Sequence, residues 1–76
     1  MDKQLKDFNI HLQHIETLAP KINQGIQIIL VINGELHVET NSRYYHLAAE
    51  DLLIINHNQL FQAAGSNDNR TLMITI

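Results

Sequence analysis

The chain has 76 residues, no cysteine and a formal net charge of −3. This length allows a single domain, and the lack of cysteine excludes disulfides and thiolate metal sites. With only five lysines and arginines, the chain has no basic stripe of the kind that binds nucleic-acid phosphates. A domain of this size hides only about 60% of the surface of its unfolded chain, so we expect a partner subunit to add stability.

No segment of the sequence is suited to crossing a membrane or to export. The longest apolar run, Ile28–Ile32, is far shorter than the roughly 20 residues that a spanning helix requires. The polar lead-in, residues 1–7, lacks the apolar centre of a signal peptide. We therefore expect a cytoplasmic protein without membrane contact.

Taken in chain order, the sequence predicts short β-strands separated by turns. The first strand is Phe8–Leu12, which alternates apolar and polar residues. A loop is expected over residues 19–25, because this segment contains the only proline and a glycine. Ile26–Asn33 is rich in β-branched residues and apolar on both faces, with Ile29 and Val31 on one of them. A strand of this kind must be covered on both sides.

A β-hairpin is predicted after Gly34. Residues 35–39 alternate apolar and polar side chains and form the first strand. Residues 41–42 are typical of a turn, and residues 44–47 form the antiparallel second strand. A turn centred on residues 41–42 sets the register, because it brings apolar residues opposite one another on one face. The predicted pairs are Leu36 with Leu47, His37 with His46, and Val38 with Tyr45.

Three further strands are predicted in the second half of the chain. They are Leu52–Ile55, Leu60–Ala64 and Thr71–Ile76, and the last two flank a hairpin loop over residues 65–69. Six to seven short antiparallel strands with turns at this spacing predict an all-β fold, either a sandwich or a small barrel. Because the chain ends inside its last strand, we expect it to be a fragment of a longer protein.

Two stretches, residues 27–38 and residues 45–58, resemble the sensory cupin domain at the N-terminus of AraC-type transcription regulators. That family typically has an acidic residue, an apolar strand, Gly-Glu-Leu, a hairpin, Gly-Asp, a second apolar strand and Asn-Pro-Asn. The resemblance covers residues 26–76. It implies that residues 1–76 form one cupin-like jelly-roll domain with residues 26–76 as its core. It also implies a role in effector sensing or dimerisation, with DNA bound only through a domain outside this chain.

At the metal-ligand positions the sequence departs from metal-binding cupins. Those proteins have a glutamate where this chain has Gln27, a His-x-His pair near residues 21–23, and a later histidine where this chain has Phe61. Glutamine is a poor metal ligand and phenylalanine is none, so we expect no metal and no cofactor. The glycine and proline of the regulator pattern are also replaced, by Glu50 and His57.

The resemblance further implies which side chains face the interior of the barrel. Gln27 and Phe61 would point inward, with Ile29 and Val31 nearby, and these four residues are the candidate contacts for a small organic effector. The alternative is that the same side chains simply fill the barrel, because small barrels have little interior space.

The five histidines raise the question of a metal site elsewhere. His11 and His14 are three residues apart, so on a strand they point to opposite faces and cannot readily chelate one ion. His37 and His46 lie opposite each other on the predicted outer face, beside Glu35. That patch is open to three interpretations: an adventitious metal site, a pH-sensitive patch, or an ordinary solvated surface.

The sequence contains no recognisable catalytic set. There is no cysteine and no nucleophile-elbow motif, and Ser42 and Ser66 fall in predicted turns. We therefore expect a non-enzyme, with two alternatives: a small stand-alone cupin isomerase or oxygenase, or a purely structural dimerisation domain. The two-sided apolar strands 26–33 and 52–55 predict a homodimer, in which Tyr44 is a candidate anchor.

Overall fold

The computed structural model describes residues 9–76. The predicted lead-in and Phe8 lie outside the described residues. Within residues 9–76 there are eight β-strands and no helix. The strands are β1 (Asn9–Gln13), β2 (Thr17–Ile22), β3 (Gln27–Asn33), β4 (Glu35–Thr40), β5 (Tyr44–Ala48), β6 (Leu52–Ile55), β7 (Leu60–Gly65) and β8 (Arg70–Thr75).

The strands form two antiparallel sheets of four strands each. Sheet A has the strand order β1-β8-β3-β6, and sheet B has the order β2-β7-β4-β5. The two sheets pack face to face as a sandwich, so the predicted all-β fold is confirmed. The structure has eight strands in residues 9–76, one more than the upper end of the predicted six to seven, because β2 was not predicted.

The additional strand β2 corrects the predicted loop over residues 19–25. β2 pairs with β7, but the register shifts between Leu18 and Lys21, which leaves Ala19 and Pro20 outside the ladder. A proline is tolerated at this position because β2 is an edge strand and the shift is an irregularity of the bulge type. Proline therefore marks a bulge within a strand here and not the end of one.

The hairpin formed by β4 and β5 has the predicted register. Leu36 lies opposite Leu47, His37 opposite His46, and Val38 opposite Tyr45. The prediction is confirmed. Alternation keeps the apolar side chains of both strands on one face, and the turn around residues 41–42, closed by the hydrogen bond from the Thr40 N–H to the Arg43 carbonyl, selects this register.

The hydrophobic core lies between the two sheets. Alternate residues of β3 to β8 point into it, as the period of two in a β-strand requires, whereas every residue of β1 is exposed. Ile29 and Val31 are on the core side of β3, as expected. The core comprises Ile15, Ile29, Val31, Leu36, Val38, Leu47, Ile55, Phe61, Ala63 and Met73.

In the described part of the chain, three turn residues have a positive φ angle. Gly34 has a φ of 77°, and a Cβ atom there would lie 2.7 Å from Ser66 Oγ, so glycine is required between β3 and β4 for conformation and for space. Glu50 and Asn58 have φ angles of 77° and 69°. Glu50 is the residue that replaces the glycine of the resembled family, so the backbone retains the conformation that glycine favours.

The outer face of sheet A is aliphatic on all four strands. Aligned positions form two rows, which we call the aliphatic face. The first row is Ile10, Ile74, Ile28 and Ile54, and the second is Leu12, Leu72, Leu30 and Leu52. The four side chains on the two edge strands are 53–54% exposed, and the four on the central strands are half-buried. None of the eight positions carries a polar group.

No helix long and apolar enough to cross a membrane occurs within residues 9–76.

Candidate functional site

All four predicted effector contacts lie in the interior of the sandwich. Ile29 and Val31 on β3 are fully buried, and Phe61 on β7 is fully buried on the opposite sheet. Gln27 is also buried, at the start of β3. The structure thus places these residues on the core side as expected. Their contact with an effector stays a prediction.

The polar groups at the implied metal positions are already engaged in the fold. Gln27 Oε1 accepts a hydrogen bond from Thr75 Oγ1 at 3.1 Å, and Gln27 Nε2 donates to the Ile74 carbonyl at 3.4 Å. The Nδ2 of buried Asn23 donates to three backbone carbonyls, those of residues 25, 55 and 56. Phe61 offers no donor atom at all. These positions therefore do not fit a metal ion.

The interior also lacks an acid or a base among the described residues. The buried polar side chains are Asn23, Gln27, Thr40, Asn69 and Thr71, none of which ionises. General acid–base catalysis needs a titratable group within hydrogen-bonding reach of the substrate. The interior of the sandwich provides none in residues 9–76.

A polar cluster lies on the other side of sheet B, facing solvent. His37 and His46 are cross-strand neighbours, and their rings are stacked with centroids 4.4 Å apart and planes 8° from parallel. His46 Nε2 lies 3.1 Å from Glu35 Oε1. His37 Nδ1 lies 2.7 Å from the hydroxyl of Tyr44. The sequence-predicted neighbours are thus in contact through their side chains.

One potential ligand atom from each of Glu35, His37 and His46 lies within 4.8 Å of the other two. We call these three residues the His–Glu cluster. Two imidazoles and a carboxylate are a donor set that suits first-row transition metals such as zinc. Tyr44, considered above as an interface anchor, borders this cluster.

A shallow groove of about 400 Å³ adjoins the cluster. His37 and Tyr44 form one wall, and the bulged part of β2 around Pro20 forms the other. Gln62 Nε2 donates to Glu39 Oε1 at 2.9 Å within the groove. The sequence did not indicate this groove, because β2 was predicted as a loop. Reading Ala19-Pro20 as a bulge in an edge strand would have indicated it.

The remaining histidines are separate from the cluster. His11 lies in β1 of the other sheet, and His14 follows the end of that strand. His57 is exposed in the turn between β6 and β7.

The two-sheet architecture places the chain among proteins of cupin fold. It is similar to a cupin superfamily protein from Desulfitobacterium hafniense, with a TM-score of 0.82 and 22% identity over 92% of this chain and 67% of that chain. It is also similar to KdgF from a Halomonas species, with a TM-score of 0.78 and 18% identity over 90% of this chain and 68% of that chain. A cupin-like protein from Thermotoga maritima aligns with a TM-score of 0.82 and 16% identity over 97% of this chain and 61% of that chain.

These similarities show the fold. The chain spans about two thirds of the length of each of these three proteins. No protein-family model matches the sequence, and no curated protein sequence matches it.

Proposed function

We propose that the chain is a non-catalytic regulatory module, namely the dimerisation and effector-sensing part of an AraC-type transcription regulator. In this proposal the DNA-binding helices lie outside residues 1–76, and the protein acts in the cytoplasm. The sequence resemblance over residues 26–76 supports the regulator assignment, and the cupin fold agrees with it. The observation that carries the proposal is the aliphatic face of sheet A.

The size of the aliphatic face fits an interface between proteins. With the exposed Ile26 and Ile32 at its border, it forms one contiguous apolar patch, and contiguous patches larger than roughly a few hundred Å² mark interaction sites. A standard interface takes about 800 Å² from each partner. Leaving this face in water would forgo the hydrophobic stabilisation that its burial adds to the core of so small a domain.

The occupant we propose for this face is a second copy of the chain. A two-fold dimer needs a patch that is complementary to itself. Two rows that each hold one type of aliphatic side chain meet this condition, because neither row contains a charge or a hydrogen-bonding group that requires a different partner group. Within residues 9–76, β1 and β6 are the edge strands of sheet A and border this face.

The chemistry of the interior supports a non-catalytic role. The amides of Gln27 and Asn23 are committed to backbone and side-chain hydrogen bonds. The described core holds no ionisable side chain. The net charge of −3 likewise supports a division of labour in which another part of the regulator contacts DNA.

Sedimentation equilibrium on the purified chain tests the dimer through a matched pair of substitutions. Leu52→Lys places a charge in the aliphatic face at a position that is 54% exposed, so the single chain loses little. Leu60→Lys makes the same change on the outer side of sheet B, where Leu60 is 39% exposed. We expect the unmodified chain and Leu60→Lys to sediment as dimers and Leu52→Lys as a monomer.

Other results would contradict the proposal. A chain that is monomeric at all concentrations means that something else covers the aliphatic face, such as another part of a longer polypeptide. A dimer that survives Leu52→Lys and Leu12→Lys together uses a different surface. Binding of residues 1–76 to duplex DNA at physiological salt would exclude the proposed division of labour.

A further inference from the structure

We propose that Glu35, His37 and His46 bind one divalent transition-metal ion on the outer face of sheet B, with zinc as the representative ion. This site is independent of the proposed dimerisation, since it lies on the other sheet. It is also distinct from the interior positions at Gln27 and Phe61, because His37 points away from the core.

The register of the hairpin brings the three residues together. His37 and His46 are directly opposite each other, and Glu35 is two residues before His37, on the same side of β4. The adjacent backbone is held by the ladder between β4 and β5 and by the pairing of β4 with β7. The ligand atoms therefore project from a fixed platform, which is more precise than a loop.

The distances are close to those that a metal ion requires. Metal–nitrogen and metal–oxygen bonds of about 2.0–2.2 Å in tetrahedral geometry place ligand atoms roughly 3.3 Å apart. His46 Nε2 and Glu35 Oε1 are already 3.1 Å apart. The widest separation within the His–Glu cluster is at most 4.8 Å, so rotation of the half-exposed side chains closes the difference. An ion would replace the hydrogen bond that now joins His46 and Glu35.

Tyr44 orients one of the two imidazoles. Its hydroxyl lies 2.7 Å from His37 Nδ1, so an Nδ1–H group can donate to the phenolic oxygen and leave the lone pair of Nε2 for the ion. Metal-ligating histidines are commonly held through their second nitrogen in this way, and loss of that partner weakens binding by about 10–100-fold. Tyr44 is therefore a positioning residue for the site.

The stacked arrangement of the rings makes a structural prediction. The lone pairs of the ring nitrogens lie in the ring planes, so two nearly parallel imidazoles 4.4 Å apart can both point at one ion only if the stack opens. Binding must tilt at least one ring and change the environment of the protons of both histidines. A solvated polar surface without a metal site predicts no such change.

Isothermal titration of tag-free protein with ZnCl₂, with Co²⁺ absorption as a second measurement, tests the site. We expect one ion per chain, tetrahedral Co²⁺ bands, and shifts of the ring protons of His37 and His46 in NMR spectra. His37→Gln and His46→Gln should each weaken binding by at least about tenfold, and Tyr44→Phe by about tenfold, since it removes the partner of Nδ1.

His57→Gln is the matched control, because His57 is an exposed histidine outside the cluster. We expect it to bind zinc like the unmodified chain. The proposal is overturned if no saturable binding occurs, if His37→Gln and His46→Gln bind normally, or if binding is lost with His57→Gln. Circular dichroism of each variant confirms that the exposed substitutions leave the fold intact.

Discussion

The side-chain amide of Asn69 forms hydrogen bonds with both backbone polar groups of Ile15. Asn69 Oδ1 accepts from the Ile15 N–H at 3.1 Å, and Asn69 Nδ2 donates to the Ile15 carbonyl at 2.8 Å. Ile15 lies where the chain leaves sheet A after β1 and enters sheet B at β2. Since both residues are buried, this amide satisfies the backbone hydrogen-bonding groups at a place where the chain crosses between the sheets and water does not reach.

Replacing Asn69 by alanine should therefore cost about 2–4 kcal/mol of unfolding free energy, because two buried backbone groups lose their partners. Chemical denaturation measures the loss. Asn67→Ala is the control, since Asn67 is an exposed residue of the same turn, and its effect should stay within about 0.5 kcal/mol. Equal effects for the two variants would mean that the Asn69 amide does not hold the crossing point.

Replacing Glu50 by glycine should stabilise the protein. A φ of 77° costs a residue with a side chain roughly 1–2 kcal/mol, and the greater freedom of glycine in the unfolded chain offsets part of the gain. The expected net gain is about 0.5–1 kcal/mol, measured as a rise in Tm. Asn58→Gly should gain less, because asparagine adopts the left-handed conformation more readily. A loss of stability with Glu50→Gly would show that the Glu50 side chain makes a stabilising contact.

Phe61→Ala should destabilise the sandwich by about 3–5 kcal/mol, since it removes a fully buried ring and leaves a cavity. Tyr44→Ala removes a similar ring that is 65% exposed and should cost far less. Thermal denaturation compares the two. A small effect of Phe61→Ala would indicate that the interior around Phe61 is open, which would favour an effector pocket over a filled core.

The melting temperature of the unmodified chain should rise with protein concentration. If a second copy covers the aliphatic face, unfolding releases two chains, and mass action stabilises the dimer at high concentration. Scanning calorimetry over a dilution series measures the effect. The Leu52→Lys variant should show a lower Tm with no concentration dependence. A Tm that is independent of concentration in both proteins would argue against the dimer.

The parts of the fold that follow from local pattern could be predicted from the sequence. The register of β4 and β5 is set by the turn at residues 41–42 together with alternation on both strands, and these local signals placed His37 opposite His46 correctly. The period of two places Ile29 and Val31 on the same face of β3, and the resemblance to the cupin domain implied that this face is the inward one.

Other parts depend on contacts between residues distant in sequence. The proline in β2 is typical of a turn, and only the pairing of this segment with β7 shows that the segment is a strand. The sequence pattern around Asn69 is that of an ordinary turn. It does not indicate that Ile15, 54 positions away, lies against the Asn69 amide. The contact between Tyr44 and His37 depends on side-chain rotamers, which the strand pattern does not specify.

The outward sides of the two sheets have opposite chemical character, aliphatic on sheet A and histidine-bearing on sheet B. Joining two copies through sheet A stacks four sheet layers about 10 Å apart, so the two His–Glu clusters face away from each other at opposite poles, roughly 30 Å apart. Each copy must then hold its own ion, and the assembly becomes bivalent. A larger partner that carries two matching groups at that separation would gain avidity that a single chain cannot provide.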